Sequence, residues 1–164
     1  MYSGCVKSLG MENQAISDAQ VTASSQMDNT HSAKEARLHS KSYGYQRGGW
    51  VALRNDLNQW LEVDLLTFTR VTRVATQGRD GYEQWVTKYR LQYSDDGETF
   101  HSFKEIGSNF AKVSVLKFGY RTTQYCTCIP VLTRISQTNW SVGSLQSLWY
   151  LILSKFFALL WTKT

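Results

Sequence analysis

Proline is nearly missing from this sequence: 164 residues contain one, Pro130, where average usage would give about eight. That scarcity excludes collagen-like chains and proline-rich linkers. The three cysteines, Cys5, Cys126 and Cys128, are too few for a disulfide-dense miniprotein. They also lack the paired C-x-x-C spacing of a structural zinc site. The first ten residues are polar and offer no apolar stretch that could act as a secretory leader. This leaves a cytosolic protein or a chain missing its true beginning. The longest apolar run, Leu148 to Trp161, is interrupted by Ser154 and Lys155 and falls short of the ~20 residues that span a bilayer. It reads as a tail helix or strand, with a weakly membrane-associating segment as the alternative.

Signatures of catalysis are absent as well. No G-x-S-x-G, G-x-G-x-x-G or G-x-x-x-x-G-K occurs, so a nucleophile elbow and a phosphate cradle lack support. His31, His39 and His101 are scattered and read as isolated polar side chains rather than ligands or bases. Asp95-Asp96-Gly97-Glu98 lacks the alternating acidic ligands of a calcium loop and reads as a hairpin turn. Arg79-Asp80-Gly81 has the wrong order for an integrin motif, and Asn139-Trp140-Ser141 is a glycosylation acceptor only if secreted. The expectation is a chain with no catalytic residues, no metal and no cofactor.

Acidic residues are missing from one region only. Residues 1–112 hold 13 Lys and Arg against 13 Asp and Glu, whereas residues 113–164 hold five basic residues and no acid. The net charge of +5 therefore belongs to the tail. It gives no basic face to the front of the chain, and no nucleic-acid partner is expected.

What the chain does have is a core. Its length suits one domain, 42% of its residues are hydrophobic and 13% are aromatic. Trp85-Val-Thr-Lys-Tyr-Arg-Leu-Gln-Tyr93 alternates, with Trp85, Thr87, Tyr89, Leu91 and Tyr93 on one face. The Asp-Gly turn follows, and Thr99 to Phe103 reads as the returning strand. Gln59 to Leu65 alternates with Leu61, Val63 and Leu65 inward, and Arg70 to Thr76 is rich in β-branched residues. Between these lie three turn-rich stretches, Ser24–Ser32, Ser40–Gly49 and Gln77–Gln84. Short strands at this spacing indicate an all-β sandwich or barrel whose loops gather at its ends. Beyond about residue 112 both the alternation and the turn signals fade.

Eight phrases then stand in register: Cys5 to Met11, Ile16-Ser-Asp-Ala-Gln-Val-Thr-Ala-Ser-Ser25, Ala36-Arg-Leu38, Gly49-Trp50, Gln59 to Leu65, Val74-Ala-Thr-Gln-Gly78, Trp85 to Tyr89 and Tyr93 to Gly97. In this order they closely resemble the discoidin family, also called the coagulation factor V/VIII type C domain. The likeness covers residues 4–113, and residues 114–164 stand outside it as an atypical basic and apolar tail. The resemblance implies a discoidin-type, galactose-binding-like jelly-roll β-sandwich. It implies an extracellular, non-enzymatic module that binds glycans, matrix or cell-surface proteins, or anionic phospholipid through loops at one end. It also implies a bridge from Cys5 to a closing-strand cysteine, a context that neither Cys126 nor Cys128 occupies. Trp50, Trp60 and Trp85 read as packing residues, and Asp64 as an architectural carboxylate.

The ligand-facing loops of the family correspond here to Met27, Asp28, Asn29, Thr30 and His31 together with Arg79, Asp80 and Tyr82. Met27 is the only large apolar group in the first of these loops. Burying one Met yields about 1.5–3 kcal/mol, too little for stable membrane anchoring, so a polar ligand is favoured over phospholipid. Cell adhesion or matrix and glycan recognition is the expected role. An accessory carbohydrate-binding domain of a secreted enzyme and a non-functional truncated product are the alternatives. With the family's closing strands unmatched after residue 113, the sandwich is expected to be incomplete at its C-terminal end. Val113 to Phe118 supplies at most one strand, and the remainder packs irregularly or as a helix.

Overall fold

The computed structural model describes residues 7–69, 71, 73–82, 84–86, 88–104 and 109, and the strand segments 113–115, 123–126, 132–138 and 161–162. Twelve strands are described: β1 (Lys7–Ser8), β2 (Val21–Ala23), β3 (Ser42–Tyr43), β4 (Gln46–Arg47), β5 (Leu61–Thr69), β6 (Arg73–Thr76), β7 (Lys88–Ser94), β8 (His101–Ser102), β9 (Val113–Val115), β10 (Thr123–Cys126), β11 (Leu132–Thr138) and β12 (Trp161–Thr162). The largest sheet runs β2-β5-β11-β7-β8, with β9 also paired to β7. A second layer pairs β6 with β10, β1 pairs β12, and β3 and β4 form a hairpin.

Strand alternation builds the core as expected. Leu61, Val63 and Leu65 of β5 and Tyr89 and Leu91 of β7 are buried together with Trp50, Met11 and Val74. Trp85 is half-buried and packs against this cluster. Val86, read from the alternation as outward-facing, is buried too, because regular strand begins only at Lys88. At the reversal after β7, Asp96 Oδ1 accepts from the Ser94 hydroxyl at 2.7 Å and from the Glu98 and Thr99 N–H groups, each at 2.8 Å. These bonds hold the Asp96 carboxyl well below the usual carboxylate range, the Thr99 N–H contributing most.

The expectation for the tail is overturned. Residues 123–126 and 132–138 are strands, and β11 is the middle strand of the large sheet, antiparallel to β5 on one edge and to β7 on the other. Without it β5 and β7 would have no partner between them, so the sandwich is not left open there. The register hides this in the sequence. Leu132 pairs with Thr69 and Arg134 with Asp64, so two residues of β11 span five of β5. The excess on β5 forms a bulge. Leu66 takes a left-handed φ of 59° there, and its N–H donates to Asp64 Oδ1 at 2.8 Å. Asp64 is thus architectural, as expected, with a bulge N–H as a partner. Leu66 and Phe68, both 69% exposed, are carried outward by the same bulge.

Most of the remaining tail, including most of the apolar run 148–161, lies outside the described residues. So do Cys5 and Cys128, and with them the expected disulfide pairing. Among the described residues no helix is long and apolar enough to cross a membrane.

Strand direction decides where the loops go. β2 is antiparallel to β5, with Ala23 opposite Leu61, so residues 24–31 leave the sheet where β5 begins. β7 is antiparallel to β11 and β11 to β5, so residues 77–87 enter β7 at that same end. The β5 bulge and the turn after Ser94 mark the opposite end.

Candidate ligand-binding end

The first loop is organised by one carboxylate. Asp28 Oδ1 accepts from the Thr30 N–H at 2.8 Å and the Thr30 hydroxyl at 2.7 Å, and meets His31 Nδ1 at 2.8 Å. Asp28 thereby caps the short 3-10 turn Asn29–His31, as an Asp at an N-cap does. The loop is then laced to residue 51: the Met27 N–H donates to the Val51 carbonyl at 2.8 Å, and the Val51 N–H to the His31 carbonyl at 3.1 Å. His31 is buried and serves the scaffold. Met27 packs against the core rather than standing free at a tip. Asn29 remains exposed.

The second loop is organised by a buried cation. Arg79 is 3% exposed. Its Nε donates to the Arg47 carbonyl and its Nη1 to Gln84 Oε1, each at 2.8 Å, while the guanidinium lies 3.8 Å from the Tyr82 ring centroid. Burial pushes the Arg79 pKa down from its ordinary value, and Tyr82 and Asp28 counter that. The turn Asn29–His31 packs against β4, and the Arg47 carbonyl of β4 takes the Arg79 bond, so both loops adjoin the β3–β4 hairpin. Asp80 accepts from Lys41 Nζ at 3.0 Å and from the Ser42 N–H at 3.1 Å.

All eight residues therefore sit at one end of the sandwich, but His31 and Arg79 are interior supports. The accessible ones are Asp28, Asn29 and Tyr82, with Met27, Thr30 and Asp80 partly open. Between the loops stands a feature that sequence reading saw only as turn-rich. The β3–β4 hairpin pairs Ser42 with Arg47 and Tyr43 with Gln46, leaving a two-residue turn, Gly44-Tyr45. Gly44 has φ +57°, the conformation a type II′ turn demands of its first residue. At Gly48, φ +61°, an added Cβ would meet the Ser42 backbone nitrogen at 2.9 Å, so the hairpin closes only with glycine there. Arg79 and Asp80 clamp its base, and Tyr43 and Tyr45 stand 84% and 88% exposed. Leu53 and Leu57, in the loop joined to Ser25 through the Leu53 N–H, are exposed as well. Tyrosines flanking a glycine in the Ser40–Gly49 stretch were the available signal.

Asp28 yields a pH prediction. Its pKa is lowered to about 2, first by the Thr30 hydroxyl bond and then by His31. Because the folded value lies below that of the unfolded chain, ionised Asp28 stabilises this loop above about pH 4. That contribution is lost as pH falls toward 2. An NMR titration should show the Thr30 amide shifting with a midpoint near pH 2, and Asp28→Asn should remove the transition; a midpoint near 4 would contradict the cap.

The sequence profile of the F5/8 type C domain matches residues 20–141. The chain belongs to this family. The match runs through β10 and β11, past the boundary at residue 113 that the resemblance had implied. Among curated relatives, the human EGF-like repeat and discoidin I-like domain-containing protein 3 is 40% identical over 111 residues, covering 63% of this chain and 22% of the relative. The chain thus spans about a fifth of that relative's length. Among solved structures, recombinant discoidin II of Dictyostelium discoideum superposes with a TM-score of 0.68 at 18% identity, over 85% of this chain and 54% of that one. The family 32 CBM from C. perfringens NanJ, solved in complex with galactose, gives 0.55 at 17% identity, over 76% and 85%. Both likenesses are of fold: the F5/8 type C jelly roll. Domains of this kind are non-catalytic binding modules, some of them attached to enzymes.

Proposed function

We propose that this F5/8 type C domain is an extracellular glycan-binding module serving cell adhesion or matrix recognition. Its ligand sits at the loop end, against Tyr43, Tyr45 and Tyr82, its hydroxyls donating to Asp28 and Asp80 and accepting from Asn29 and Lys41. The observation that carries this reading is the clamped β3–β4 hairpin, which holds two tyrosines in solvent beside hydrogen-bonding groups already fixed by their own partners. Rigid aromatic faces and preset polar groups are what a sugar ring, apolar on one face and hydroxylated at its edge, requires. The galactose complex of the NanJ module, a neighbour in fold, supports the ligand class. Within a longer protein the same end would serve as an accessory carbohydrate-binding surface.

A glycan array probed with the chain, followed by titration with galactose, tests this. Tyr43→Ala and Tyr45→Ala should each weaken binding about tenfold, the equivalent of ~1.4 kcal/mol per stacked ring. Glycan binding that is absent, or unchanged in both variants, would overturn it. Anionic membrane is the second reading, favoured by Leu53 and Leu57 exposed beside Arg54 at this end. Phosphatidylserine vesicles in the same titration separate the two.

A further inference from the structure

On the flank of the sandwich, beside the edge strand β2, an open groove of about 330 Å³ is lined by Val21 of that strand and by Gln26 and Asn29 of the first loop. Ser32 and Lys34 line it too, at the start of the 3-10 turn Ala33–Ala36, which packs against β2. The groove reaches Asp18, in the turn Asp18–Gln20. Gln20 Nε2 ties that turn to the Asp64 carbonyl at 2.7 Å, beside the β5 bulge. The groove therefore begins at the ligand-binding end and leads away from it along the sheet edge.

The groups left free on this lining are mostly donors. Asp18, its one acid, takes two bonds from the Arg37 guanidinium. Asn29 Oδ1 accepts from Gln26 Nε2 at 3.2 Å, which leaves the Asn29 amide N–H groups to spare and Gln26 Oε1 as a neutral acceptor. Lys34 is exposed and forms no ion pair among the described residues. Ser32 stands at the N-cap of its turn, where a serine hydroxyl ordinarily accepts a backbone N–H. It makes no such bond, and its Oγ is buried with no hydrogen-bond partner. Native proteins seldom leave a buried hydroxyl unused.

We propose that this groove is an acidic-sugar subsite continuing the loop-end site. A glycan held at the tyrosines extends past Asn29 and lays a carboxylate-bearing sugar along β2, its negative charge met by Lys34 and by the Ser32 and Asn29 donors. The inference rests on the glycan reading of the loop end and names the kind of glycan. A free ammonium beside spare donors repels an amine and attracts an anion. One unpaired cation balances one negative charge, so a carboxylate fits better than a doubly charged phosphate. Val21 gives the apolar patch that a sugar ring's C–H face needs.

Calorimetric titration of the full chain with lactose, 3′-sialyllactose and the methyl ester of 3′-sialyllactose tests this. Esterification removes the charge and keeps the rings. The acid should bind at least about tenfold tighter than the ester, the scale of one charge-assisted hydrogen bond. The preference should shrink at 1 M salt, where charges are screened beyond ~3 Å. Lys34→Ala should abolish it and Ser32→Ala should reduce it, both leaving lactose binding as it was. Neither should lower the melting temperature, since Lys34 is exposed and the Ser32 hydroxyl bonds nothing. Lactose binding with equal affinity for acid and ester would overturn the subsite and spare the loop-end reading. A preference that survives Lys34→Ala would also overturn the subsite. Failure of all three sugars to bind at millimolar concentration would overturn both. Tyr43→Ala should weaken lactose and 3′-sialyllactose by the same factor; weakening of lactose alone would show that the groove does not continue the loop-end site.

Discussion

Trp50→Ala is expected to lower the stability of the chain by about 4 kcal/mol, the middle of the range for deleting a large aromatic from a core. Trp50 is fully buried, and its Nε1 donates to the Ser25 carbonyl at 2.8 Å. The indole therefore fills the centre of the core and fastens the start of the first loop. Ser25 is itself a junction, its hydroxyl donating to Gln59 Oε1 at 2.6 Å and accepting the Leu53 N–H. Urea denaturation should show the full loss, corresponding to roughly 10–15 °C in melting temperature for a chain of this size. Trp50→Phe, which keeps most of the ring volume but loses the donor, should cost about half as much. A loss below about 1 kcal/mol for Trp50→Ala would mean that the indole is not densely packed.

Arg79→Ala should cost about 3 kcal/mol and take the tyrosine hairpin with it. The substitution removes the donors of the Arg47 carbonyl and the Gln84 amide, and it uncovers the Tyr82 face. Leaving buried acceptors unsatisfied costs about 1–3 kcal/mol each, more where the lost donor was charged. Because the Arg47 carbonyl belongs to β4, hydrogen exchange at the β3–β4 amides should accelerate in the variant before the rest of the sheet is affected. Glycan binding at the loop end should fall more than tenfold. Arg79→Lys should not restore it, since a single ammonium cannot reproduce two bonds at fixed angles and a stacked plane. Unchanged exchange in the hairpin would show that Arg79 is not its clamp.

How much of this was legible depended on whether the deciding contacts were near in sequence. Leu61, Val63 and Leu65 follow a period of two and are buried, and the Asp-Gly reversal after β7 is local chemistry. The burial of Arg79 and His31 could not be read the same way. A charged residue in a turn-rich stretch looks solvated, and the contacts that hold these two in place include Arg47 and Val51, distant along the chain. The closing strand was hidden for a different reason. In β11 the apolar Leu132 and Ile135 are three apart, which breaks a period of two, and the register between Leu132 and Arg134 shifts against β5. Position 66 gave no warning either, since a leucine there has no sequence preference for a left-handed backbone. Of the candidate site, the eight named residues share one end of the sandwich, with His31 and Arg79 as its interior supports. The exposed tyrosines between them became visible only once the hairpin was in place.

The middle position of β11 also governs when the protein can fold. β5 and β7 emerge from the ribosome early, yet the strand that joins them into one sheet is made from residues 132–138. Until then the two edges flanking the gap have no hydrogen-bond partners, and their apolar faces have no complete layer to pack against. Closing the sheet must join segments far apart along the chain, the kind of step that makes sandwich folding slow. Between the synthesis of β7 and that of β11 the nascent chain therefore keeps its central gap open, in the window when exposed strand edges are most prone to pair with the wrong chain.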